Sequence, residues 1–132
     1  MADIRLDHAV VPSRDRKSGA ALLAELLGVP CAAETAVGPF SPVYVSDDLT
    51  LDFAQAEGPF PLLHFCFRVD DADFDAILAR IREKGIAFRS RPMGEADMQV
   101  NTRDGGRSVY WNEPDDHVWE ILTVSYARQP AP

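Results

Sequence analysis

Two histidines and a glutamate are the side chains whose types and spacing promise chemistry. His8 lies in Leu6-Asp7-His8-Ala9-Val10-Val11 and His64 in Leu62-Leu63-His64-Phe65-Cys66-Phe67. The two histidines coincide when the chain is laid against itself with a shift of 56 residues. Strand alternation puts Leu6, His8 and Val10 on one face, and His64, Cys66 and Arg68 on the equivalent face of the second strand. The other face of that strand, Leu63, Phe65, Phe67 and Val69, is apolar and suited to packing under a helix. The imidazoles are left to face polar partners or a ligand. Glu120 stands inside Val118-Trp119-Glu120-Ile121-Leu122-Thr123-Val124, where a carboxylate is costly to bury without charged partners. Two neutral imidazoles and a carboxylate make a ligand set with open positions. It suits one divalent ion, Fe²⁺ or Mn²⁺ ahead of Zn²⁺ or Ni²⁺. Asp52, in Leu51-Asp52-Phe53, is the repeat counterpart of Glu120 and a candidate fourth ligand with a short reach. His117, the third histidine, follows a turn and is expected at the surface.

The elements that must position these residues follow the same repeat. Asp15 falls on Asp71, Ala20 on Ala76, Leu22 on Leu78, and Gly28-Val29 on Gly85-Ile86 with a slip of one residue. Asp15 caps a helix over about 16–27, whose apolar side is Ala21, Leu22, Leu23, Leu26 and Leu27. Gly28 and Pro30 end it. Asp70 or Asp71 caps a second helix over about 72–84, in which Phe74, Ile77, Leu78 and Ile81 recur at i, i+3, i+4 and i+7 before Gly85. Strands are expected over 43–45 and 49–54 in the first half. In the second half they are expected over 86–90, 98–102, 107–112 and 118–126, separated by turn residues. Residues 30–42 hold three prolines and little periodicity. The sum is an α+β chain of two βαβββ modules with mostly antiparallel sheets. Together they form one domain over 1–132, the modules spanning about 3–57 and 62–126 and meeting at Gly58-Pro59-Phe60-Pro61.

Bulk properties narrow the partners. A chain of 132 residues suits one modest core, and a formal charge of −8 disfavours nucleic acid and anionic membranes. No apolar run approaches the ~18 residues of a membrane span, and the N-terminus shows no signal-peptide pattern, so a cytoplasmic location is expected. Cys31 and Cys66 lack metal or redox spacing and are expected as free, buried thiols. The tail from Ala127 to Pro132 lacks periodicity and is expected to fray.

The motifs resemble the vicinal oxygen chelate superfamily. This group includes glyoxalase I, extradiol ring-cleaving dioxygenases, fosfomycin-resistance transferases and bleomycin-resistance proteins. The resemblance is carried by Leu6–Val11, Leu26-Leu27-Gly28-Val29-Pro30, His64–Val69 and, above all, residues Gly106 to Ile121. The last stretch is similar to a closing pattern Tyr-Phe-x-Asp-Pro-Asp-Gly-x-x-x-Glu, with Glu113 for the usual aspartate and Asp116 for the usual glycine. The resemblance implies a curved sheet around a central cavity, His8, His64 and Glu120 as the metal ligands, and a homodimer. It also implies a small substrate that chelates the metal through adjacent oxygens. Tyr110, ten residues before Glu120, is placed like the tyrosine near the metal in extradiol dioxygenases. Arg68 and Arg107, with Arg103, are the visible cations for an anionic substrate. The pattern points to a metal-dependent lyase or oxygenase nearest the ring-cleaving dioxygenases. The alternative is a metal-free, ligand-sequestering protein of the bleomycin-resistance type. No additional acid/base histidine is evident, and Asp52 stands where glyoxalase I has a glutamate.

Overall fold

A computed structural model describes residues 2–128 and residue 130. The expected fraying of the tail falls in part on residues 129, 131 and 132, which lie outside the described residues. The chain is α+β, with two helices and two small sheets, and divides into two compact units, Met1–Pro61 and Leu62–Pro132.

The first unit contains β1 (His8–Ser13), α1 (Arg16–Leu27), β2 (Phe40–Tyr44) and β3 (Thr50–Gln55), with sheet order β1-β3-β2. α1 begins where Asp15 accepts the Ser18 N–H at 3.2 Å, and ends at Gly28, whose φ of 72° is the left-handed conformation glycine adopts without a Cβ clash. Its buried side is Ala20, Leu23, Ala24 and Leu26, rotated slightly from the face expected of the leucines alone. β1 runs parallel to β3, and β2 antiparallel to it. Pro42 is tolerated because β2 is an edge strand. The stretch before β2 contributes only an isolated bridge between Cys31 and Val43, so the first unit reads βαββ with one strand reduced to a bridge.

The second unit contains β4 (His64–Arg68), α2 (Asp71–Glu83), β5 (Phe88–Arg89), β6 (Ser108–Asn112) and β7 (Val118–Leu122), ordered β4-β7-β6-β5. β4 and β7 are parallel; β6 is antiparallel to both its neighbours. Asp70 caps α2 by accepting the Asp73 N–H at 2.8 Å. Phe74, Ile77, Leu78 and Ile81 are all buried, as their spacing predicts. Each such side chain removed from water contributes roughly 1.5–3 kcal/mol.

The expected strand over 98–102 does not form. Met98 has φ 54° and donates its N–H to the Phe88 carbonyl, while the Asp97 carboxylate accepts the N–H groups of Ser90 and Gln99. Side-chain capping and a left-handed residue satisfy this segment, and only the Asn101–Ser108 bridge remains of the ladder. The last strand likewise stops at Leu122, four residues short of Tyr126. There Thr123 exchanges bonds with Arg107, at 2.9 Å through its hydroxyl and 3.0 Å through its N–H. The chain passes so close that a Cβ on Gly106 would lie 2.6 Å from the Thr123 hydroxyl oxygen.

Candidate functional site

In the second unit the register sets the site. Cys66 on β4 pairs with Glu120 on β7, and Glu120 pairs with Tyr110 on β6. Directly paired residues point to the same face of a sheet, so these three form a row on one side. The opposite side carries Phe67, Trp119, Ile121, Val109 and Trp111, all buried, with Phe65 and Phe67 packed against the Trp119 ring. This apolar layer fixes the register, because a slip of one residue would exchange the two faces.

His64, next along the polar face, stacks its ring near Tyr110 at 6.2 Å. Its Nδ1 lies 2.9 Å from the Val118 carbonyl. That carbonyl can only accept, so Nδ1 carries a hydrogen and Nε2 is the nitrogen turned toward Glu120. Nε2 lies 3.2 Å from Oε1 of Glu120, whose side chain is 0% exposed. A neutral imidazole lone pair and a carboxylate are both acceptors, so a proton or a metal ion must bridge them. Two ligand atoms about 2.1 Å from one ion, at a near-right angle, would stand about 3 Å apart. The pair therefore fits a divalent cation, and the backbone bond at Nδ1 is the usual way of orienting a metal-binding imidazole.

Tyr126, which the sequence reading did not select, covers this carboxylate. Its hydroxyl lies 2.8 Å from both oxygens of Glu120 and 3.1 Å from the Tyr110 hydroxyl. The carboxylate can only accept, so Tyr126 donates to it and Tyr110 donates to Tyr126. Desolvation pushes both phenols above their ordinary values, and the neighbouring charge of Glu120 adds to the shift. Both therefore hold their protons at neutral pH. The Cys66 thiol is pushed up to about 12, first by desolvation and then by Glu120, so it is a thiol here although the residue as a whole is exposed.

His8 belongs to the first unit. Its Nδ1 is 2.8 Å from Asp7, whose hydrogen bond is the largest cause of a raised imidazole pKa, with Asp52 adding a smaller charge effect. Asp52 sits in the register position that matches Glu120: it pairs with Val10, two residues after His8, as Glu120 pairs with Cys66, two after His64. His8, Asp7, Tyr44 and Asp52 line a cavity of about 330 Å³. Of the three expected ligands the structure thus brings His64 and Glu120 together. Among the described residues no group of three or more His, Cys, Asp or Glu side chains is arranged to hold a metal.

Three further expectations meet the structure differently. Arg68 is exposed at the end of β4, on the His64 face. Arg107 is bound elsewhere: it pairs with Asp71 at 3.0 Å and Asp75 at 2.6 Å, and lies 4.3 Å over the Phe74 ring. It ties α2 to the sheet and is not in the His64–Glu120 cluster. His117, expected at the surface, is 0% exposed; its Nδ1 accepts the Leu63 N–H at 2.9 Å, which anchors the start of β4. Cys31 and Cys66 are free, as expected, but both are exposed and not buried.

No family model matches the chain. Among solved structures, an oxidase, ChaP-H1, is 43% identical over 94% of this chain and 98% of its own, with a TM-score of 0.85. A second oxidase, ChaP-H2, is 35% identical over 96% of this chain and 98% of its own, with a TM-score of 0.88. The fosfomycin resistance protein FosX of Mesorhizobium japonicum is 36% identical over 69 residues, which are 52% of this chain and 44% of that protein. The chain thus matches less than half the length of that curated relative.

Proposed function

Because this chain belongs to the vicinal oxygen chelate superfamily, we propose that it is a divalent-metal-dependent oxygenase or lyase acting on a small substrate with two adjacent oxygens. The observation that carries this reading is the His64–Glu120 pair, an imidazole Nε2 3.2 Å from a fully buried carboxylate. The likeness to two oxidases over nearly the whole chain favours the oxidative branch. A bound Fe²⁺ or Mn²⁺ would supply Lewis acidity toward both substrate oxygens and a redox partner for dioxygen. His64 and Glu120 are the residues that would hold it. His8, the repeat equivalent of His64, is the sequence-based candidate for the third ligand, and Asp52 for a fourth.

The remaining roles fall to side chains around the pair. Val118 orients His64 through its carbonyl, and Tyr126 keeps the Glu120 carboxylate in one rotamer. Tyr110 holds a proton at its hydroxyl, and on turning from Tyr126 it would donate that proton in a hydrogen bond to a substrate oxygen next to the pair. A homodimer, implied by the superfamily resemblance, is part of the same proposal.

Metal content of protein purified without chelator tests this reading. About one Fe or Mn per chain is expected in the wild type, with loss in His64→Ala and Glu120→Gln. A fall in His8→Ala would assign the third ligand. Oxygen uptake with a panel of catechols, set beside hemithioacetals, separates oxygenase from isomerase. A wild type that binds no metal and gains no thermal stability from added metal would sink the proposal in favour of a ligand-sequestering protein.

A further inference from the structure

We propose that Arg89 is the anion-recognising residue of this site, selecting substrates that carry a second anionic oxygen group apart from the pair that meets the metal. The inference rests on the reading of His64 and Glu120 as metal ligands.

Arg89 extends the row of site residues by one strand. It pairs with Tyr110, which pairs with Glu120, which pairs with Cys66, so all four side chains share the polar face. Arg89 is only 9% exposed, an unusual place for a cation. One terminal nitrogen donates to Asn112 Oδ1 at 2.7 Å and the other to the Pro92 carbonyl at 2.8 Å, while the Nε–H is buried with no acceptor among the described residues. Both acceptors are neutral, and no ion pair to Arg89 exists among the described residues. A buried guanidinium without a counter-charge is expensive, and an incoming anion offsets that cost.

Placement gives the size of the ligand. Adjacent strands stand about 4.8 Å apart, so Arg89 lies roughly 10 Å across the sheet from Glu120, with Tyr110 between them. The bond to Asn112 draws the guanidinium toward the end of the sheet that carries His64, because Asn112 pairs with Val118 and Val118 with His64. A flat molecule about one aromatic ring wide would span that gap. Its adjacent oxygens would meet the His64–Glu120 side and a carboxylate or second phenolate would meet Arg89, in the fork geometry that guanidinium offers such groups. Of the arginines expected near substrate, Arg107 is already paired to Asp71 and Asp75, and Arg68 is exposed at the end of β4. The substrate class that follows is a dihydroxylated or oxo-hydroxy aromatic acid.

Anaerobic calorimetry on Fe²⁺-loaded protein tests this, with catechol and 3,4-dihydroxybenzoate as probes and metal content measured on the same samples. The wild type is expected to bind the carboxylated probe about tenfold more tightly than catechol. Arg89→Met should abolish that preference while catechol affinity stays within about twofold, and Arg89→Lys should keep part of it. Equal binding of the two probes by metal-loaded wild type, binding of neither, or a preference that survives in Arg89→Met overturns the inference. The wild-type comparison stands even where the methionine variant fails to fold. Absence of metal from the wild type is a different failure, that of the His64–Glu120 reading itself.

Discussion

Glu120 is the residue on which the proposed chemistry turns, because a fully buried carboxylate is stable only through what surrounds it. Two of its neighbours are hydroxyl or imidazole groups that could be removed singly. Tyr126→Phe deletes the hydroxyl that lies 2.8 Å from both oxygens. Hydrogen bonds to charged groups contribute about 1.5–3 kcal/mol, so urea unfolding of the metal-free variant should show a loss of about 2 kcal/mol. An unchanged midpoint would mean that the carboxylate has another donor. Glu120→Gln should act differently. It removes a buried charge at little cost in volume, so the metal-free fold should survive with near-native circular dichroism while metal affinity falls by at least an order of magnitude. At this scale the histidines were legible from the repeat, and Glu120 from its apolar strand. Tyr126 was not, since an extended strand would carry it roughly 20 Å from Glu120. It reaches the carboxylate only because β7 ends at Leu122 and the chain bends back.

Among the elements, the closing turn between β6 and β7 shows how a substitution is absorbed. Asp116 stands where the superfamily pattern has glycine, and it adopts φ 71°, the left-handed conformation that glycine takes most readily. Glu113 stabilises that turn by accepting the N–H groups of Asp115 and His117, at 2.6 and 3.1 Å. Asp116→Gly should therefore raise stability by up to about 1 kcal/mol in thermal or urea melts, without moving metal affinity. A loss of stability would show that the aspartate side chain has a role beyond its backbone. At the other end of the unit, Asp70→Ala removes the cap of α2 and should cost about 1 kcal/mol. Helices of this kind are legible because capping and periodicity act within a few residues. The strand expected over 98–102 failed because Asp97 and a left-handed Met98 satisfy the backbone locally, which no alternation pattern reports.

For the whole molecule, two measurements carry the most weight. Ligands that bind only the folded state raise stability by about 2.7 kcal/mol at a hundredfold excess over their dissociation constant. Added Fe²⁺ or Mn²⁺ should accordingly raise the melting temperature of the wild type, and chelation should lower it, with no response in His64→Ala. Light scattering should report twice the chain mass if the proposed homodimer forms; a monomer at all accessible concentrations would remove that part of the proposal. Among the described residues no helix is long and apolar enough to cross a membrane. The sequence by itself determined the α+β class, the internal repeat, both helices with their caps, and the equivalence of His8 with His64. All of these depend on short-range periodicity or on a comparison of the chain with itself. Only the tertiary structure decided that Arg107 serves helix packing, that His117 is buried, that Tyr126 stands beside Glu120, and that Arg89 shares its face of the sheet. Those outcomes depend on strand register and on where strands end, which are set by packing between residues distant in sequence.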